Sequence, residues 1–228
     1  MNLQTNYRQF PAISNSDLTE FRDYIFGYNR FKPVNAFAFG SALHEVLLEP
    51  KIPHIFPDIV DMDLINVLVE KVKDNKFCKW ILQFSRKEQN LLFEDNETLL
   101  PCKAKIDMVY KQNIIVDFKT TSQRTEEAFL KSCFEYDYDR QSAFYVDAVI
   151  NQQKFLTIKR QPPRFIFVGI QKKSPHKLFI FDATSEPNFI QQGRNKYQAL
   201  LCKWQEMGGI PNGFIASSWD KDFLKQAA

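Results

Sequence analysis

The spacing of apolar residues changes along the chain from helical to strand-like and back again. Ser14-Asn15-Ser16-Asp17 offers N-cap oxygens, and Leu18, Phe21, Tyr24, Ile25 and Tyr28 follow at helical spacing. A second helix is predicted over 36–48, with Phe39, Leu43, Val46 and Leu47 on its apolar side and Pro50 ending it. A third spans 61–73, where Leu64, Val67, Leu68 and Val72 fall at i, i+3, i+4 and i+8. The period then shortens. Residues 91–94, 99–110 and 113–120 read as successive strands, the last two joined by the polar turn Lys111-Gln112. Helical spacing returns at 125–133 and 140–150, followed by strands at 164–171 and 177–182. A long helix over 186–207 is stopped by Gly208-Gly209. This order predicts an α/β fold, a mixed central β-sheet flanked by helices.

The 228 residues carry no repeat and no Gly/Ser-rich linker, so a single domain over 1–228 is expected. With 44% hydrophobic residues and 22 Phe, one well-packed core is within reach. The net charge of +3 allows a nucleic-acid partner through a local patch but not a protein that coats DNA. Cys78, Cys102, Cys133 and Cys202 are widely spaced, which argues for reduced thiols and against zinc or iron–sulfur sites. No apolar run approaches the ~20 residues that span a bilayer, and residues 1–10 are polar. The expectation is a soluble intracellular protein with no membrane partner.

Candidate chemistry concentrates in the middle of the chain. Asp117 and Lys119 are two apart on a strand, so both leave one face of the sheet. The tight turn before that strand can bring Asp107 nearly opposite Asp117. Two such carboxylates repel, and one would hold a proton, unless a divalent cation lies between them. Oxygen ligands of this kind suit Mg²⁺ or Mn²⁺. Lys119 could orient or deprotonate an attacking water, or offset charge in the transition state. His44, one turn after Gly40 on the second helix, could complete the metal shell as a neutral imidazole. The missing side chain of Gly40 would let the sheet or a substrate approach closely. Gln141 and Tyr145 are i, i+4 on a helix and could position a phosphate or orient Lys119. Glu88, just before the first strand, is a further carboxylate of uncertain register. Each fragment alone has a plainer reading, as a solvated charged strand or an amphipathic helix border.

Taken together, these residues resemble the PD-(D/E)XK nuclease superfamily, within its RecB-like and RecE-like phage exonuclease branch. The resemblance is carried by Ile13 to Leu18, Phe39 to Pro50 with Gly40 and His44, Cys102 to Asp107, Val116 to Thr121 and Arg140 to Tyr145. It extends to the tail through Gly213-Phe214, and so covers about 13–215, with the motif-bearing core at 36–150. It implies a restriction-endonuclease-like core. It further implies metal ligation by His44, Asp107, Asp117 and the Phe118 carbonyl, catalysis by Lys119, and auxiliary roles for Gln141 and Tyr145. Ile106 stands in place of the proline of the superfamily's name, and Lys105 where arginine is frequent. The four-cysteine cluster of some relatives has no counterpart here. Mg²⁺ is the implied cofactor, with Mn²⁺ as substitute.

A nuclease must hold a polyanion. Lys103, Lys105, Arg124, Arg140, Arg160, Arg164, Lys172, Lys173 and Lys177 are candidate phosphate contacts, and Phe31 and Phe37 could wedge a DNA end. The leading expectation is a metal-dependent exonuclease on duplex DNA ends. By resemblance it would serve phage-type recombination in a bacterial cytoplasm, beside a single-strand annealing protein, and could form a homo-oligomer. A structure-specific or single-strand endonuclease on the same core, and a module that binds DNA or protein without cutting, are the alternatives.

Overall fold

The hairpin expected in mid-chain forms the centre of the sheet. The structure, a computed structural model, describes residues 7, 10–28, 34–154 and 161–208. Five strands, β1 (Arg86–Glu94), β2 (Pro101–Tyr110), β3 (Ile114–Thr121), β4 (Arg164–Gln171) and β5 (Leu178–Asp182), lie in the order β1-β2-β3-β4-β5 among the described residues. Helices α1 (Asn15–Ile25), α2 (Val34–Leu48), α3 (Met62–Asp74) and α4 (Lys76–Phe84) precede the sheet. Helices α5 (Glu126–Glu135) and α6 (Tyr138–Gln153) form the crossover from β3 to β4, and α7 (Phe189–Glu206) follows β5. The β1-β2-β3 pairings are antiparallel, β3-β4 is parallel, and β4-β5 is antiparallel. The fold is the expected mixed sheet flanked by helices.

Two differences from the sequence reading matter. Helix α4 was not expected, although Asn75 caps it through a bond from the Cys78 amide at 3.0 Å and Cys78 and Ile81 are buried. Strand β1 begins at Arg86 rather than 91, so Glu88 lies inside it. Arg160, Phe31 and the closing turn through Gly213-Phe214 fall outside the described residues.

The ladder between β2 and β3 is short, running only from Tyr110↔Ile114 to Met108↔Val116. The next pair in that register would be Asp107 and Asp117, and there the strands part. Beyond it β2 continues against β1 down to Glu94↔Pro101, while β3 continues against β4 to Thr121↔Gln171. The sheet therefore opens into a wedge at the two aspartates. Its far end is closed by Ile13, which bridges Cys102 in parallel, donating to the Pro101 carbonyl and accepting from the Lys103 amide.

The pleat also slips at Asp107. Ala104, Ile106 and Val109 face one core cluster and Met108 the other, so strict alternation fails between Ile106 and Val109. The β1-β2 ladder skips the same place. Glu88, opposite Asp107, forms no rung and sits at a left-handed φ of 50°. Such a slip re-aims a side chain that a regular strand would hold in its pleat.

Each face of the sheet has its own core. On one, α1, α5, α6 and α7 pack through Leu18, Phe21, Phe129, Phe144, Phe189 and Trp204. On the other, α2, α3 and α4 pack through Leu43, Ile65, Leu68, Val72 and Ile81. The crossing of α6 and α7 is tight enough to need glycine. A Cβ on Gly193 would lie 1.9 Å from the Asp139 carbonyl oxygen.

Candidate active site

The site is assembled around the open wedge from α2, β2, β3 and α6. Ile115 faces the α6 side and Val116 and Phe118 face the α2 side, so strand alternation puts Asp117 and Lys119 toward α6. The Asp117 side chain is 3% exposed, and its Oδ2 lies 2.8 Å from Lys119 Nζ. Gln141 Nε2 donates to Asp117 Oδ1 at 2.9 Å, and Tyr145, one turn further along α6, bonds the Gln141 side chain. Gln141 thus fixes the Asp117 carboxylate, a contact beyond the phosphate-positioning and Lys119-orienting roles expected of it.

His44 reaches the wedge from α2. Its Nδ1 lies 3.1 Å from Asp107 Oδ2, and its Nε2 lies 2.5 Å from the Phe118 carbonyl oxygen, on the edge of β3 that β2 has left unpaired. Gly40 faces Thr120, but a Cβ there would meet Thr120 Oγ1 at 3.8 Å, an ordinary contact. The close approach expected at Gly40 is therefore not one that excludes a methyl group.

The charges are strongly coupled. Burial opposes ionisation of Asp107, but His44 beside it, helped by Lys119, holds its carboxyl below the usual range. Burial lifts Asp117 above that range. Lys119 pulls it down, Asp107 pushes it up, and the net is upward. Of the two carboxyls, Asp117 is the one whose ionisation burial and its neighbour oppose on balance. Burial disfavours the charge on His44, yet Asp107 and then Asp117 outweigh burial and raise the imidazole to about 9. Lys119 is likewise raised, its burial overcome by Asp117.

Among the described residues, no three His, Cys, Asp or Glu side chains stand ready around a metal position. His44, Asp107, Asp117 and Lys119 neutralise one another instead. The donor set nonetheless fits a hard divalent cation. Asp107 Oδ2 and Asp117 Oδ2 are buried, and each meets a cation at ion-pair distance without a well-directed hydrogen bond. With the Phe118 carbonyl and the imidazole, they offer the oxygen-rich shell that Mg²⁺ or Mn²⁺ favours.

The other candidate residues divide sharply. Lys103 is 1% exposed, and its ammonium donates to the carbonyls of Tyr7 and Phe10 at 3.2 and 3.0 Å. It anchors the segment before α1 and is out of reach of a phosphate. Arg140 is 2% exposed and binds Asn15 and Thr19 on α1. Arg164 pairs with Asp182 at 2.6 Å at the start of β4, the end away from Lys119. Lys105 is half-exposed and paired with Glu88 at the wedge rim. Lys172 follows the end of β4, bonds the Thr121 carbonyl through its amide, and carries its ammonium 5.8 Å from the centre of the Phe39 ring. Lys173, Lys177 and Arg124 are exposed around the same strand ends, and Phe37 is exposed on α2. The sequence reading passed over Tyr138, whose ring lies 4.9 Å from Lys119 Nζ, centre to atom. Its place as the first residue of the helix that carries Gln141 was the available signal.

Residues 58–208 match the family described as a PDDEXK-like domain of unknown function (DUF3799). Among solved structures, a protein from Eubacterium rectale named "Putative exonuclease" superposes with a TM-score of 0.65 at 14% identity, covering 90% of this chain and 82% of that one. A second, named SSO0001, covers 88% and 95% at 11% identity, and its TM-score of 0.32 carries no argument. None of the curated proteins matches the chain.

Proposed function

The chain belongs to this PDDEXK-like family, and from that premise we propose that it is a metal-dependent deoxyribonuclease acting at the ends of duplex DNA. One observation carries the reading. The β2-β3 ladder stops one rung short of Asp107 and Asp117, and the opening collects a buried and a partly buried carboxylate, a lysine, an imidazole and a backbone carbonyl without a strand partner. A structural strand pair has no use for that set. It is costly to bury unless a cation or substrate engages it.

In this reading Asp107, Asp117, the Phe118 carbonyl and His44 hold Mg²⁺, or Mn²⁺ in its place. Bound there, the cation would supply Lewis-acid activation of the phosphodiester and of the attacking water. The chain's own residues prepare that step. Gln141 fixes one oxygen of Asp117, so the carboxylate keeps its orientation when the other oxygen changes partner. Tyr145 holds Gln141 in turn. Lys119 aims its ammonium into the wedge, where it stabilises charge on the phosphoryl oxygens and orients the water. Lys172, Lys173, Lys177 and Arg124 track the backbone at the strand ends, with Lys105 at the opposite rim. Contacts of this sort read phosphates, so little sequence preference is expected.

A recombination role beside a single-strand annealing protein, a homo-oligomeric working form and a cytoplasmic setting belong to the same proposal, supported by the resemblance of the motifs. No helix among the described residues is long and apolar enough to cross a membrane. The test is incubation of end-labelled linear duplex and closed circular duplex with Mg²⁺ or with EDTA. Loss of the linear substrate alone, only with metal, is the expected result, and the position of the released label gives polarity. Nicking of the circle would make the protein an endonuclease. Survival of both substrates in Mg²⁺ and in Mn²⁺ would favour a module that does not cut.

A further inference from the structure

The Lys119 ammonium meets two neighbours of different chemistry, the Asp117 carboxylate at 2.8 Å and the ring of Tyr138 at 4.9 Å from its centre. The ring is held from several sides. It stacks on Phe167 at 5.4 Å and 27°, and Phe167 is the rung partner of Asp117 on β4. The residue before it, Asp137, is left-handed at φ 55°, an uncommon state for a side chain other than glycine. Ion pairs to Arg22 and to Lys196, the latter at 3.1 Å, clamp Asp137 there. The start of α6 is thus tied to α1, α7 and β4 at the point where it presents Tyr138 to Lys119.

In the proposed reaction Asp117 faces two demands, one from the divalent cation and one from Lys119. A doubly charged ion takes the larger share of the carboxylate, and the ammonium then loses its strongest partner. An aromatic face attracts an ammonium through its quadrupole and has no lone pair to offer Mg²⁺. We propose that Tyr138 is a positioning residue whose ring keeps the Lys119 ammonium aimed into the wedge while Asp117 serves the metal. The inference rests on the nuclease reading above. It adds that the aromatic face, not the tyrosine hydroxyl, is what that reaction needs.

The test compares Tyr138→Phe with Tyr138→Leu in the full-length protein, measuring kcat and KM on linear duplex at a temperature below both melting points. The Phe variant is expected to stay within about twofold of the parent. The Leu variant should lose about tenfold in kcat with KM unchanged, as for a cation leaving a partly desolvated ring. A second readout does not depend on cleavage. In protein labelled with ¹³C at lysine Cε, the Lys119 signal should be shifted upfield by the ring current, assigned by its loss in Lys119→Ala. The shift should persist when Ca²⁺ is added and vanish in Tyr138→Leu. A Leu variant with the parent's kcat, a Phe variant as slow as the Leu variant, or a shift that collapses on adding Ca²⁺ would each overturn the proposal while cleavage by the parent stands. A parent protein that cleaves nothing overturns the nuclease reading and this inference together.

Discussion

His44 stands between two acceptors, with Nδ1 3.1 Å from Asp107 Oδ2 and Nε2 2.5 Å from the Phe118 carbonyl oxygen. The Phe118 carbonyl can only accept, so Nε2 carries a proton, and the Asp107 carboxylate at ion-pair distance from Nδ1 favours the charged imidazolium. The elevated pKa of about 9 agrees with the geometry.

A pH dependence follows for the metal-free protein. The folded-state pKa of His44, about 9, lies above its unfolded value of 6.5, so the stabilisation is complete below 6.5 and is lost as pH rises through about 9. Melting temperatures in EDTA between pH 6 and pH 10 should fall across that window for the parent. They should fall less for His44→Gln. Parallel curves for the two proteins would contradict the charged assignment.

Two glycines should respond oppositely to alanine. At Gly40 the added methyl has room, and alanine suits a helix interior better than glycine by up to about 1 kcal/mol, so the melting temperature should rise slightly. At Gly193 the methyl would strike the Asp139 backbone at 1.9 Å, so α6 and α7 must separate. That should cost several times the propensity gain, on the order of 3 kcal/mol or more. Thermal denaturation of the two variants checks the pair.

The lysines divide into structural and DNA-facing groups. Lys172→Ala and Lys173→Ala should weaken duplex binding, each reducing the salt slope of log K by about 0.9 if it meets one phosphate, with the melting temperature unchanged. Lys103→Ala should do the reverse. It leaves the Tyr7 and Phe10 carbonyls without their donor and so lowers stability by about 1–3 kcal/mol. Binding isotherms at several salt concentrations beside a melting curve separate the two effects.

The contrast between Lys103 and Lys172 also marks how far the sequence could be read. The hairpin was legible because Val116-Asp117-Phe118-Lys119 combines a buried strand with two polar residues on one face, and β4 was predicted with the bounds it has. The two aspartates were expected nearly opposite each other, and the ladder stops one rung short of that pair, at Met108 and Val116. What the sequence could not show is that the strands separate there, since that depends on Ile13 taking the freed edge of β2 and His44 reaching the freed edge of β3. Lys103 and Arg140 were read as surface cations because their partners, two backbone carbonyls near residue 10 and the side chains of Asn15 and Thr19, are distant in sequence. Strand β1 was shortened because Arg86 to Asn90 has no apolar alternation, and its pairing with β2 is what makes it a strand. Helix α4 carried a readable N-cap at Asn75 that was overlooked.

The most direct test of the central claim separates metal binding from catalysis within the wedge. Mn²⁺ binding by calorimetry and cleavage of linear duplex should be measured for the parent, Asp117→Asn and Lys119→Ala. The account predicts that Asp117→Asn loses both, whereas Lys119→Ala still binds Mn²⁺ and cleaves at least about a hundredfold more slowly. Undiminished Mn²⁺ binding by Asp117→Asn, or undiminished cleavage by Lys119→Ala, would contradict it.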